Sequence, residues 1–346
     1  MTKKTTAQDV AKAAGVSPAT VSLVFHNRPG VKAQTRELVW ACAKELGYEY
    51  GGAASPTEKT STLLLIVFKR HGNVISNTQF FEHLIRGVSD ETYRLGYHRL
   101  SVTYFYAQEN IEEQLESIRS VKCAGAILLA TEMRARDVEI FKGLGVPLVL
   151  LDNWFASKAV DSVMIDNARG VKSAIRYLRS AGHTEIGYLH CSADIKNFKE
   201  RAEAFLAAER KQKERDADPV HYVVELGSSI PEAYQTMNDY LDGDPYLPTA
   251  FFADNDYIAT FCIRSLKEHG YRVPEDISVI GFDDIELAPS MDPPLTTMHI
   301  PQESMGELAA KRLADLIEGH TKGLVHCRVQ PELVARGSVC PPADKE

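Results

Sequence analysis

The first fifty residues carry the pattern that most constrains the fold: two short amphipathic helices, a glycine turn between them, and a third helix behind. Ala7, Val10, Ala11 and Ala14 recur at helical spacing after a capping threonine, Thr6. Gly15 ends that helix. Ser17-Pro18 opens the next, with serine at the cap and proline at the first helical position, where its missing N–H costs nothing. Val21, Val24 and Phe25 share the inward face of this second helix, leaving Pro18, Ala19, Ser22, Leu23 and His26 on the other side. An Asn27-Arg28-Pro29-Gly30 turn leads to a third helix with the core stripe Thr35, Leu38, Val39, Cys42 and Leu46. This spacing predicts a helix-turn-helix whose second helix lies in a DNA major groove. A plain three-helix bundle has the same periodicity.

Composition bounds the rest. The 346 residues exceed one typical domain and suggest two or three, with 44% apolar residues to fill their cores. Net charge is -8, but residues 1–60 hold eight Lys/Arg against five Asp/Glu while the remainder holds 31 against 42. A mildly basic head on an acidic body fits a chain that touches nucleic acid with one end only. The six cysteines, at 42, 123, 191, 262, 327 and 340, form no C-x-x-C pair, which argues for a reducing compartment and against a zinc site or a disulfide framework. No signal peptide opens the sequence and no apolar run approaches membrane-spanning length, so a soluble cytoplasmic protein is expected.

Residues 51–60 are small and polar and are broken by Pro56, so they read as a linker. Beyond them, apolar runs Leu63–Phe68, Leu100–Tyr106, Gly125–Leu129, Pro147–Leu151, Ile186–His190, Ala250–Ala253 and Ile277–Gly281 read as buried parallel strands. Amphipathic stretches at 80–95, 168–181, 199–213 and 257–269 read as helices. That alternation predicts an α/β fold with doubly wound parallel sheets. The stretch is too long for one sheet, so two similar lobes are expected.

Asp9-Val10-Ala11, Ala14-Gly15-Val16-Ser17, Thr20-Val21-Ser22 and Thr35-Arg36 resemble the amino-terminal signature of the lactose-repressor/galactose-repressor family of bacterial transcription regulators. The resemblance continues through Ser76-Asn77, Phe80-Phe81, Asp166-Asn167, Gly182-His183, Phe252–Asp256, Val273–Asp284 and Pro294–Thr297, which are similar to that family's two-lobed, periplasmic-binding-protein-like sensor. It implies a head at 1–48, a hinge at 49–61 and an effector-binding domain at 62–342. In that domain, lobe 1 would hold about 62–166 and 299–325, and lobe 2 about 167–298 and 326–342, with three crossings between them.

Ligands of open α/β sheets bind at the carboxyl ends of strands. Asp283, Asn255 and Asp152 each follow a strand, and Arg201 opens the helix after His190. Carboxylate, amide and guanidinium can bracket the hydroxyls of a sugar, and Phe80 and Phe81 can supply an apolar face. Each also has a plainer role available, as turn cap, surface ion pair or core. The resemblance places Asp283, Asn255 and Arg201 at effector-contacting positions. It likewise implies a DNA-contacting set of Thr6, Pro18, Ala19, Thr20, Ser22, Leu23, His26 and Thr35. Of these, Thr6, Ser22 and Thr35 suit phosphate oxygens, and Ala19 and Leu23 suit thymine methyl groups.

Enzyme readings find no support. No G-x-G-x-x-G follows the first strand, no Walker-type loop or G-x-S-x-G elbow occurs, and His190 and Cys191 point to opposite faces of a strand. No cofactor, metal site or catalytic residue is expected. The sequence therefore predicts a ligand-responsive repressor that binds a palindromic operator in double-stranded DNA as a homodimer. Its effector would be a small molecule, a sugar first and a nucleobase or nucleoside second. A solute-binding protein of the periplasmic type without DNA function is the alternative. The hinge departs from the family pattern: Gly51, Gly52 and Pro56 oppose helix, no leucine stands where relatives wedge one into the minor groove, and only weak helix on DNA is expected.

Overall fold

The computed structural model describes residues 5–25, 31–46, 48, 59–72, 79–213, 222–320 and 323–343. They fall into two compact units, Met1–Thr60 and Ser61–Glu346.

The head contains α1 (Ala7–Ala13), α2 (Pro18–Phe25) and α3 (Ala33–Glu45). Thr6 caps α1 in a reciprocal box: its hydroxyl accepts from the Asp9 amide, and the Asp9 carboxylate accepts from the Thr6 amide at 2.8 Å and hydroxyl at 2.7 Å. Gly15 takes a φ of +63°, a left-handed conformation that turns the chain at little steric cost only without a Cβ. The Ser17 hydroxyl then accepts from the Thr20 amide at 3.0 Å and starts α2. Val10, Val21, Val24, Phe25, Val39 and Ala43 form the core, with Phe25 edge-on to Trp40 at 4.7 Å and stacked on Tyr48 at 5.6 Å.

The α3 stripe differs from the expected one. Leu38 and Leu46 are 49% and 40% exposed, and burial centres on Val39 and Ala43. The core under three short helices is small enough for one turn of α3 to close it. The turn at 27–30, His26, Ser76-Asn77 and residues 49–58 of the hinge lie outside the described residues.

The body begins with β1 (Lys59–Lys69), which starts inside the stretch read as linker. There follow α4 (Gln79–Arg94), β2 (Tyr97–Tyr106), α5 (Ile111–Ser120), β3 (Cys123–Leu129), α6 (Val138–Lys142), β4 (Leu148–Leu151) and β5 (Asp161–Ile165). The chain continues with α7 (Asn167–Ser180), β6 (Ile186–Cys191), α8 (Lys196–Lys213), β7 (Val223–Leu226), α9 (Ile230–Asp242), β8 (Ala250–Ala253), α10 (Asp256–Glu268) and β9 (Ser278–Ile280). It closes with β10 (Thr297–His299), α11 (Gln302–Glu318), β11 (His326–Val329) and β12 (Glu332–Val334).

Two parallel sheets result, ordered β11–β5–β4–β3–β1–β2 in lobe 1 and β7–β6–β8–β9 in lobe 2. Leu63, Leu65 and Val67 of β1 face one side of the first sheet and Leu64, Ile66 and Phe68 the other, the period-2 signature of a strand covered on both faces.

Three sequence expectations need correction. β2, read as buried, is an edge strand that leaves Val102, Tyr104 and Tyr106 exposed, because it has a neighbour on one side only. The strands at 161–165 and 223–226 were not anticipated, each being short and carrying a polar or charged residue. The lobe boundary at 325/326 also falls too early. β11 pairs with β5 in lobe 1 (Cys327 opposite Val163), and only β12 returns to lobe 2, antiparallel to β10. The crossings run from β5 to α7, from β10 to α11 and from β11 to β12.

Helices α4 and α11 cross almost in backbone contact. A Cβ at Gly306 would stand 2.2 Å from the Leu84 carbonyl oxygen, and one at Gly87 would stand 2.0 Å from that of Glu303. This close crossing fixes the helix that carries Phe80 and Phe81.

Candidate functional site

A cleft between the lobes gathers residues from seven segments. It is lined by Phe80, Phe81, Thr131, Asp152, Ile165, Ile195, Asn197, Phe198, Arg201, Asn255, Tyr257 and Asp283. All six effector residues expected from the sequence are among them. Its volume is about 40 Å³, room for a few water molecules.

Arg201 lies at its floor, 2% exposed. It stands in the second turn of α8, not at its opening, because α8 begins five residues earlier at Lys196. Nε donates to Asn167 Oδ1 at 2.9 Å, one terminal nitrogen to the Asp254 carbonyl, and the other to Asp283 Oδ1 at 3.3 Å. The guanidinium rests on the Phe282 ring, 3.7 Å from its centre. Below runs a column in which Tyr188 stacks on Phe205 and Phe252 at 4.9 and 5.4 Å.

Two carboxylates face the cleft. Burial pushes Asp283 up to about 7, against the pull of Arg201. Burial likewise raises Asp152 to about 6, although Thr131 and Asn197 donate to it at 2.6 and 3.0 Å. Both residues have positive φ, +64° at Asp152 and +102° at Asp283, uncommon for residues with a Cβ and concentrated at binding sites. Asn255 caps α10, its Oδ1 accepting from the Ile258 amide at 2.9 Å, and the residue lines the cleft. Phe80 and Phe81 meet edge-to-face at 5.1 Å, and both line the cavity.

Thr131, Asn197, Phe198 and Tyr257 were missed in the sequence. A signal existed for two of them: Asn197 precedes Arg201 by four residues on one helix face, and Tyr257 follows Asn255 by two. Thr131 lies two residues beyond β3 and carried none.

His190 and Cys191 do not form a reactive pair. His190 Nδ1 is 2.8 Å from Asp254, and burial pushes the Cys191 thiol up to about 11, away from an activated thiolate.

In the head, Pro18, Ala19 and Ser22 are exposed on α2, with Leu23 and Thr20 half-buried. Thr6 is exposed at the start of α1 and Thr35 is half-buried on α3. The Thr6 hydroxyl is already engaged with Asp9, and that of Thr20 lies 2.9 Å from Ser17. Pro18, Ala19 and Ser22 are the exposed residues of this outer face, with Leu23 half-buried beside them.

Residues 6–49 match the family model "Bacterial regulatory proteins, lacI family", and residues 175–339 match that of a periplasmic binding protein-like domain. The HTH-type transcriptional repressor PurR of Pasteurella multocida is 31% identical over 337 residues, covering 96% of this chain and 98% of that protein. Among solved structures, a transcriptional regulator CelR–cellobiose complex superposes with a TM-score of 0.71 at 27% identity, covering 96% of this chain and 99% of the other. A regulator from Enterococcus faecium with bound ribose gives 0.66 at 27% identity over 80% of this chain and 99% of the other.

Proposed function

The chain belongs to the lacI family of bacterial regulatory proteins, and we propose that it is a repressor whose head binds a palindromic operator as a homodimer and whose cleft senses a small neutral, hydroxyl-rich effector. The observation that carries this reading is the pairing, in one chain, of an exposed recognition-helix face with a polar interlobe cleft. Neither a solute-binding protein nor an enzyme accounts for the head. On this reading Pro18, Ala19, Ser22 and Leu23 meet the major groove, while Thr6, Thr20 and Thr35 flank it. Residues 49–61 link the head to the sensor.

The effector's charge follows from the lining. Asp152 and Asp283 face one cation, Arg201, which is already committed to Asp283, Asn167 and the Asp254 carbonyl. Asp152 accepts from the Asn197 side-chain amide at 3.0 Å, which sets a second carboxylate near the first turn of α8. What remains open is a carboxylate acceptor at Asp283 and an amide donor at Asn255, a pair that suits neighbouring hydroxyls. Relatives crystallised with cellobiose or ribose hold molecules of this kind.

On this reading the effector sits between the lobes, against residues contributed by both. The effector then acts by shifting the population between lobe arrangements. An electrophoretic shift with the DNA upstream of its own gene, repeated across a panel of neutral sugars and nucleosides, tests the reading. Failure to bind that DNA, with or without the panel, rejects it.

A further inference from the structure

Asp256 lies outside the cleft lining and is fully buried, yet its contacts converge on the loop that presents Asp283. Its amide donates to the Phe282 carbonyl at 2.8 Å. One carboxylate oxygen accepts from the Ile285 amide at 3.0 Å, and the other from the Thr297 hydroxyl at 2.5 Å. The two backbone contacts therefore bracket Asp283 and Asp284, and these two have φ of +102° and +56°. Two consecutive left-handed residues with a Cβ are unfavourable and persist only where the surroundings over-determine them. Within the turn, the Asp283 amide donates to the Met298 carbonyl at 2.9 Å and its carbonyl accepts from Gln302 at 2.9 Å, while the Asp284 side chain meets Arg336 at 2.7 Å and His299 at 3.0 Å; Asp256 is the residue that ties the two ends of the turn together. Gly281 makes the approach possible, since a Cβ there would stand 2.1 Å from the Asp256 carboxylate.

We infer that Asp256 is a positioning residue for effector recognition, a clamp that holds the left-handed turn so that Asp283 meets Arg201 and the cleft. This rests on the proposed role of Asp283 as an effector contact. The clamp needs an acceptor for Ile285 and a partner for Thr297, not a charge. Asparagine can supply both, because the threonine hydroxyl can accept as well as donate. Alanine supplies neither.

Hydrogen exchange followed by mass spectrometry on the full chain tests this without an effector. In Asp256→Ala, exchange across residues 282–286 should rise about tenfold or more while β6 and β8 stay protected. Asp256→Asn should remain within about twofold of the parent. Thr297→Val, which keeps the Ile285 contact, should fall between. Unchanged exchange in Asp256→Ala, equal loss of protection throughout lobe 2, or Asn behaving like Ala would overturn the clamp.

Calorimetry with D-ribose adds the functional readout. Where ribose binds the parent, Asp256→Ala should weaken it about 10- to 100-fold, and should add nothing in an Asp283→Asn background. Additive losses contradict action through Asp283. Absence of ribose binding by the parent bears on the effector reading alone, and the exchange result still decides the clamp.

Discussion

Arg201 lies over Phe282, its guanidinium carbon 3.7 Å from the ring centre, while the same group donates to Asp283. The residue that looks like a ligand contact in the sequence is thus also a brace between α8, the start of α7 and the loop after β9. Arg201→Ala would leave Asp283 buried without its cation and Asn167 Oδ1 without that donor. A loss of about 3–5 kcal/mol in folding stability is expected. Arg201→Lys should recover little of it, since an ammonium cannot reproduce three in-plane donors and a stacked face. Urea unfolding of both variants checks this; parental stability in Arg201→Lys would contradict the brace.

The buried carboxylates give the body a pH dependence of definite sign. Asp152 and Asp283 are pushed to about 6 and about 7, and Asp256 to about 8, in each case chiefly by burial. Unfolded, each titrates near about 3.9. Between those limits the folded chain holds more protons than the unfolded one, so stability is greatest at the acidic end and is lost as pH rises through 6 to 8. Asp283→Asn removes one contributor, and its stability should fall less steeply than the parent's between pH 5 and 8. Parallel slopes in unfolding series at four pH values would count against this.

Charge selection in the cleft is tested with matched pairs such as ribose and ribose 5-phosphate, or adenosine and its monophosphate. At pH 8, above the values of both Asp152 and Asp283, the neutral member of a pair should bind at least about 100-fold more tightly, the cost of setting a phosphate against two carboxylates with no uncommitted cation. Calorimetry showing the phosphorylated member equal or better would reject a neutral effector.

Thr6 has a structural duty that competes with any phosphate contact. Its hydroxyl closes the capping box with Asp9, so Thr6→Ala should destabilise the head by about 1 kcal/mol, while Thr6→Ser keeps the cap. Operator affinity measured alongside the melting of the head separates the roles. A Thr6→Ala variant that melts like the parent but binds DNA more weakly would make Thr6 a phosphate contact first.

Much of this was legible because the signals are local. Caps at Thr6 and Ser17, the glycine turn and strand runs such as Ala250–Ala253 are fixed by neighbours in sequence. Asp283, Asn255 and Asp152 could be found because strand ends are where such folds bind ligands. What escaped depended on distant pairing. Nothing around His326–Val329 tells that it lies beside Asp161–Ile165, and nothing near Tyr97–Tyr106 marks it as an edge. Asp256, flanked by better-known polar residues, shows its purpose only once Ile285 and Thr297 are seen against it.

The route taken by residues 326–338 has a consequence for how the chain is made. β11 supplies the outermost strand of the lobe 1 sheet, β12 then pairs with β10, and Ser338 bonds both the Thr296 amide and the Val279 carbonyl. A nascent chain that has reached Leu324 has an open edge at β5 and a β10 still lacking its antiparallel partner β12, in two different lobes. Neither lobe can be finished as an early translation product. The head can fold as it emerges, but the sensor must wait for its last segment, and messages broken late in the reading frame should yield a folded head on a body with sticky edges.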